Sequence, residues 1–220
     1  EGSIPLKNKT VADVDFTVFR ENTEGLYVGV GGIFKKNTPD EIAVQEEINT
    51  RKGVERIIRY AFEFTKKNGL KKIAMADKSN AMQFGHSLWY RCFFDVAKEF
   101  PEIQAKHYYI DALAMMMIRS PEEFEVIVTN NLFGDILTDI GAQLQGGMGL
   151  AASGNINPNG VSMFEPVHGS APDIAGKNLA NPVAAILTGE MMLRHLGFAQ
   201  QADRIDRAVR IAIQKNKLTK

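Results

Sequence analysis

From residue 71 to residue 145, short strand-like runs alternate with helical ones: 71–76, 106–110 and 124–129 read as strands, and 86–100, 112–119 and 133–145 as helices. An alternation this regular requires crossover connections, and it confines the stretch to α/β construction. Ligand sites in open α/β sheets collect at the carboxyl ends of the strands. Polar residues that follow directly on the strand-like runs are therefore the first candidates for chemistry.

The flanks are less regular. Residues 15–20 have strand character and lead into the turn-rich Glu-Asn-Thr-Glu-Gly of 21–25. Residues 26–48 mix aromatics and glycines, with breaks at Gly31-Gly32 and Thr38-Pro39-Asp40, which predicts hairpin-like strands and no helix. Val54, Ile57, Ile58, Ala61, Phe62 and Phe64 form a helical stripe over 50–67, closed by Asn68-Gly69. A glycine-rich stretch at 146–160 marks a domain crossing, so 1–145 and 146–220 are expected to be separate domains. Beyond it the pattern predicts a strand at 161–164, a loop to 181, and helices over 182–195 and 199–216.

Several function classes drop out on composition. Lys+Arg 26 balance Asp+Glu 26, so charge points neither to nucleic acid nor to a membrane surface, and a small-molecule partner is expected. No apolar run reaches the ~20 residues needed to cross a bilayer. Cys92 is the only cysteine, which excludes an intrachain disulfide and fits a reducing, cytoplasmic setting. Gly147-Met148-Gly149-Leu150-Ala151-Ala152 satisfies a loose dinucleotide-binding pattern, but it follows a helix rather than a strand and is set aside.

At the strand ends, Asp135 and Asp139 lie four residues apart in NNLFGDILTD and so share one helix face. Such a pair is either solvated surface or half of a site for a hard divalent cation. Asp111 follows the run 106–110 and reads equally as a helix N-cap or as a third metal ligand. Lys78, just past 71–76, is either a solvated loop charge or a desolvated proton-handling group. Arg20 and Tyr27 flank the ENTEG turn, where an arginine can grip a carboxylate and a tyrosine can donate a proton. His168 sits in a loop too rich in Pro, Gly and polar residues for a core.

Taken together, FRENTEGLY at 19–27, DKSNAM at 77–82, IDALAM at 110–115, NLFGDILTDIGAQLQGGMGLAASGNI at 131–156 and FEPVHGSAPDIAGKNLANP at 164–182 resemble one family. It is that of the NAD(P)-dependent β-decarboxylating dehydrogenases, which act on 3-isopropylmalate, isocitrate, homoisocitrate, tartrate or D-malate. The resemblance covers nearly the whole chain, with five motifs in order. It implies an α/β fold of two domains, of the isopropylmalate dehydrogenase type and not a Rossmann fold.

The resemblance also implies roles. Arg20 would bind the substrate carboxylate, Tyr27 would protonate the enol left after CO₂ departs, and Lys78 would assist removal of the hydroxyl proton. Asp111, Asp135 and Asp139 match the aspartates that hold Mg²⁺ or Mn²⁺, with Lys78 and Asp111 reaching into the neighbouring subunit's site of a homodimer. Asn80, Glu165, His168, Gly169, Ser170, Ala171, Asp173 and Asn181 would contact NAD. Asp173 faces the adenosine ribose in this reading, where a carboxylate favours the 2′-hydroxyl of NAD over the 2′-phosphate of NADP.

Residues 77–103 lean toward 3-isopropylmalate as the 2-hydroxy dicarboxylate, and so toward leucine biosynthesis. The first domain would then bind substrate and metal and form the dimer, and the second would be the C-terminal part of the cofactor domain. The family's opening strand, its Gly-Asp-Gly-Ile-Gly-Pro-type turn and its closing helical segment have no counterpart here, so a chain without activity by itself is expected. A non-catalytic regulatory subunit is the competing class. Such subunits lose catalytic residues, whereas Tyr27, Lys78, Asp111, Asp135 and Asp139 all stand.

Overall fold

A computed structural model describes Leu6 and residues 8–215. The chain divides into two compact units, one formed by Asp15–Ile140 and the other by Gly141 onward together with the described residues before Asp15.

In the Asp15–Ile140 unit, β1 (Thr17–Arg20) is followed by a short 3₁₀ turn at Leu26–Val28 and an antiparallel hairpin, β2 (Gly31–Phe34) and β3 (Ile42–Gln45). Then come α1 (Arg51–Lys67), β4 (Lys72–Asp77), α2 (Gly85–Ala97), β5 (Gln104–Tyr109), α3 (Ile110–Arg119), β6 (Val126–Thr129) and α4 (Asn131–Leu144), whose end from Gly141 is counted with the other unit. The four longer-range strands make one parallel sheet in the order β1-β6-β4-β5. The expected strand and helix alternation is present, with ends displaced by a few residues. The one helical element within 26–48 is the 3₁₀ turn, which the sequence pattern did not suggest.

Alternation along the sheet explains why both faces are covered. On β4, Ile73 and Met75 point to one side with Val126 and Val128 of β6, where they pack under α1 and α2 through Val54, Ile58, Phe62, Trp89 and Phe93. Ala74, Ala76 and Ile127 point to the other, against Leu113 and Met117 of α3 and Leu137 of α4. Each fully buried large side chain of this kind contributes roughly 1.5–3 kcal/mol. The segments leaving β4 and β6 therefore diverge to opposite faces, the arrangement at which ligand sites form in open α/β sheets.

Helix α1 is closed at both ends. Thr50 accepts from the Gly53 N–H at 3.0 Å, and the Glu24 carboxylate accepts from the Thr50 N–H and Oγ, each at 2.8 Å. A Cβ at position 53 would sit 2.6 Å from Glu24 Oε1, so only glycine leaves room for this cap. At the other end Gly69 takes φ +71, while its N–H and that of Leu70 bond back to Lys66 and Thr65, a Schellman closure.

In the other unit, β7 (Ala152–Asn155) pairs antiparallel with β8 (Met163–Pro166), followed by α5 (Val183–His195) and α6 (Ala199–Gln214). Here the sequence expectation needs correcting. A strand, β7, lies inside the glycine-rich stretch, and β8 starts and ends two residues later than 161–164. The small residues Ala152, Ser153 and Gly154 hide a strand whose partner is set by cross-strand hydrogen bonding rather than by an apolar pattern.

Candidate active site

The parallel register aligns the carboxyl ends of the strands, with Arg20 opposite Thr129, Thr129 beside Ala76, and Asp77 opposite Tyr109. The residues singled out at strand ends thus lie along one edge of one sheet.

At the β1 and β6 ends, Arg20 is the hub. Its Nε and Nη2 donate to Asn131 Oδ1 at 3.0 and 2.8 Å, and its Nη1 meets Asp135 Oδ1 at 2.8 Å. The guanidinium also lies 5.6 Å from the centre of the Tyr27 ring, whose side chain is exposed. Asn131 is held in turn, because its Nδ2 donates to the Glu24 carbonyl at 2.9 Å. Asn130 accepts from the Phe133 N–H at 2.9 Å and so caps α4, which carries Asp135 and Asp139 one turn apart.

At the β4 and β5 ends, Lys78 Nζ meets Asp111 Oδ1 at 2.6 Å and lies 6.0 Å from the Tyr109 ring centre. The N-cap reading of Asp111 does not hold. Tyr109 takes the cap position, and Asp111 lies inside the first turn of α3, a place where a carboxylate suits the positive helix end. The hydrogen bond from Lys78, followed by backbone N–H groups at the helix start, holds the Asp111 carboxyl below the usual carboxylate range.

The four candidate polar groups therefore fall into two ion pairs, Arg20 with Asp135 and Lys78 with Asp111. Asp139 is exposed on α4. Among the described residues no three His, Cys, Asp or Glu side chains gather around one point, so the proposed metal trio does not converge within one copy of the chain. The donors nonetheless suit a hard divalent cation, since all are carboxylates and Asp135 and Asp111 each already hold a positive group.

Beneath this edge lies a buried polar network that the sequence reading passed over. His86 and Asn130 are buried, and the Glu47 side chain is nearly so. Glu47 Oε1 lies 3.2 Å from His86 Nε2 and accepts from Asn130 Nδ2 at 3.0 Å. Burial works to raise the Glu47 carboxyl, but His86 first, and after it the Asn49 and Asn130 side chains, outweigh it and hold the group below its ordinary range. Asp77 is also buried, accepting from the Ser79 N–H and Oγ and meeting His107 Nε2 at 2.8 Å. One sequence signal was available: His86 interrupts the buried stripe of α2 that continues through Trp89, Phe93 and Val96.

The residues expected to meet the cofactor are found in two places. Asn80 is exposed in the turn after β4. The rest belong to the other unit, where Glu165 sits in β8 rather than in a loop, its carbonyl accepting from Ser153 Oγ at 2.6 Å. His168 Nδ1 donates to the Gly169 carbonyl at 2.8 Å, and Gly169 and Ser170 are exposed. Ala171 takes a left-handed φ of 44°, a strained conformation for alanine that turns the chain into the 3₁₀ turn Pro172–Ile174, where Asp173 is exposed. Asn181 Oδ1 accepts from the Val183 N–H, the first of α5, at 3.0 Å, from just before the cap residue Pro182. The exposed Asp173 carboxylate is a fitting acceptor for a ribose hydroxyl.

Comparison with known proteins places these features in context. A family model described as isocitrate/isopropylmalate dehydrogenase matches residues 1–220. The chain is 49% identical over 213 residues to a 3-isopropylmalate dehydrogenase of Thermobifida fusca, covering 96% of this chain and 60% of the relative. It is 51% identical over 207 residues to that of Corynebacterium glutamicum, covering 93% and 60%. A crystal structure of isocitrate dehydrogenase from Methylococcus capsulatus superposes with a TM-score of 0.87 at 45% identity, over 92% of this chain and 59% of that one. The chain thus spans about 60% of the length of the curated relatives it matches.

Proposed function

The chain belongs to the isocitrate/isopropylmalate dehydrogenase family, and from that premise we propose that its protein oxidises and decarboxylates a 2-hydroxy dicarboxylic acid, 3-isopropylmalate, with NAD and Mg²⁺ or Mn²⁺. The observation that carries the reading is the pairing of Arg20 with Asp135 and of Lys78 with Asp111 along one sheet edge. Asp135 and Asp139 would hold the metal from one copy of the chain, and Asp111 with Lys78 would serve the site of a second copy. Bound there, the metal supplies Lewis acidity toward the hydroxyl and the developing carbonyl.

The chain's own groups then divide the work. Arg20, oriented by Asn131, presents N–H donors to a substrate carboxylate. Lys78 would take the hydroxyl proton as the free amine, and the ammonium so formed donates to Asp111 Oδ1, which orients it. Tyr27, exposed beside Arg20, gives a proton to the enol after CO₂ leaves. Asn80, Glu165, His168, Gly169, Ser170, Ala171, Asp173 and Asn181 would hold NAD, with Asp173 accepting from the ribose.

A homodimer with shared sites fits the exposed apolar residues of the Asp15–Ile140 unit. The β2–β3 hairpin exposes Ile33, Phe34, Ile42 and Val44, and the helices expose Met115, Ile118 and Ile136. Among the described residues no helix is long and apolar enough to cross a membrane. The lone cysteine, buried Cys92, suits a reducing cytoplasm.

The test is a turnover assay of the full-length protein with Mn²⁺, NAD and a panel of isopropylmalate, isocitrate, homoisocitrate, tartrate and D-malate. NAD reduction with CO₂ release, most efficient on isopropylmalate, is expected. No reduction with any of them would overturn the proposal.

A further inference from the structure

The Lys78 peptide is clamped from both sides. Its carbonyl accepts from the N–H groups of Ala81 and Met82 at 2.9 and 2.8 Å, and its own N–H donates to His86 Nδ1 at 2.7 Å. His86 is fully buried at the start of α2, its N–H bonded back to the Met82 carbonyl at 3.1 Å and its ring edge-on to Phe133. An Nδ1 that accepts carries no proton, so the ring proton belongs on Nε2, which faces the Glu47 Oε1 acceptor at 3.2 Å as well as Asn130 Nδ2 at 3.1 Å.

Glu47 thereby decides the tautomer. Without an acceptor at Nε2 the proton could move to Nδ1, and two N–H groups would then face each other at the Lys78 peptide. Glu47 also takes the Asn130 Nδ2 hydrogen bond, so the same carboxylate ties the end of β4 to the start of α4. Buried polar groups linked in this way hold geometry tightly.

We propose that His86, its tautomer set by Glu47, is a positioning residue that fixes the Lys78 peptide and so aims Lys78 Nζ at its partner and at the substrate hydroxyl. This rests on the reading of Lys78 as the proton-handling group. His86 touches neither substrate nor cofactor in this role.

Two substitutions separate the ring nitrogens. His86→Asn keeps an acceptor where Nδ1 stood, and His86→Gln keeps a donor where Nε2 stood. In the full-length protein His86→Gln is expected to lower kcat roughly 10–100-fold with KM little changed, the size expected for a small misplacement of a reacting group. His86→Asn is expected to recover most of that loss. Amide hydrogen exchange gives a readout independent of turnover, with Lys78 protected in wild type and His86→Asn and released in His86→Gln. Equal kcat and equal Lys78 protection in the two variants would overturn the proposal.

If neither variant folds, the wild-type protein still decides. A proton on Nδ1 in ¹⁵N spectra, or rapid exchange of the Lys78 amide, overturns the proposal, and an Nε2 proton with a protected amide supports it. Absence of wild-type turnover on every 2-hydroxy dicarboxylate would remove the proposed function, while the tautomer and exchange results would stand on their own.

Discussion

Arg20 Nη1 and Asp135 Oδ1 lie 2.8 Å apart, joining the last residue of β1 to the first turns of α4. Both groups are only partly shielded, so the pair by itself adds little to stability. Its effect is to keep a cation on Asp135 and to hold a guanidinium fork at the carboxyl edge of the sheet. Replacing Asp135 with Asn removes the charge that a metal would need. Asp135→Asn is expected to weaken Mn²⁺ binding by ~10²-fold or more and to abolish metal-dependent turnover. Calorimetric titration with Mn²⁺ beside a turnover assay checks both, and unchanged affinity would remove Asp135 from the metal site.

Arg20 and Tyr27 should separate kinetically. Arg20→Lys cannot reproduce the planar fork that now reaches Asn131 and Asp135 together, so KM should rise about tenfold with kcat largely kept. Tyr27→Phe should do the opposite, lowering kcat by ~10²-fold at nearly constant KM. Steady-state kinetics of the two variants tests the pair, and a Tyr27→Phe protein that loses affinity while keeping its rate would make Tyr27 a binding residue.

Cofactor choice should rest on Asp173. Its exposed carboxylate would accept from the NAD ribose and repel a 2′-phosphate, an asymmetry of roughly 2–4 kcal/mol. Asp173→Ser is expected to narrow the preference by at least tenfold, read as the ratio of kcat/KM for NAD and NADP. Equal efficiencies already in the wild type would rule the assignment out.

Gly134 tests the packing under the site. A Cβ there would fall 2.7 Å from Arg20 Cβ and 2.4 Å from Arg20 Cγ, close to the main chain where little can yield. Gly134→Ala should gain up to ~1 kcal/mol of helix propensity and lose about 1–3 kcal/mol to overpacking. Net destabilisation, with a raised KM as Arg20 shifts, is therefore expected from denaturant unfolding and kinetics. A more stable variant with normal kinetics would contradict the geometry.

Glu47 sets a pH dependence. Its carboxyl titrates below the ordinary range in the folded protein, so its contribution is complete above that range, about pH 4–5, and is lost as pH falls through the depressed value. Glu47→Gln retains an acceptor but cannot ionise. The stability gap between wild type and Glu47→Gln should be constant near neutrality and should close as the medium is acidified below about pH 4. Unfolding midpoints across that range provide the measurement, and a gap that widens on acidification would contradict the ionised form.

How far the sequence carried the reading depends on the kind of residue. The parallel sheet and its flanking helices were legible because 3.6 and 2-residue periodicities are local properties, and the strand-end positions of Arg20, Lys78, Asp111 and Asp135 followed from them. Strand β7 was not legible, because Ala152, Ser153 and Gly154 carry no apolar alternation and become a strand only by pairing with β8. The position of Asp111 in the first turn of α3 was likewise decided by where β5 ends, at Tyr109.

Residue types and spacing by themselves determined which groups could bind an anion, a cation or a proton, since that chemistry is intrinsic to each side chain. Which groups meet was decided only by tertiary structure. Glu47, His86 and Asn130 come from a segment before α1, from α2 and from the β6–α4 junction, separated by as many as 83 residues along the chain. No local pattern encodes that encounter. It exists because the segments leaving β4 and β6 pass to opposite faces of the sheet while starting side by side, so that the polar groups buried there pair with one another.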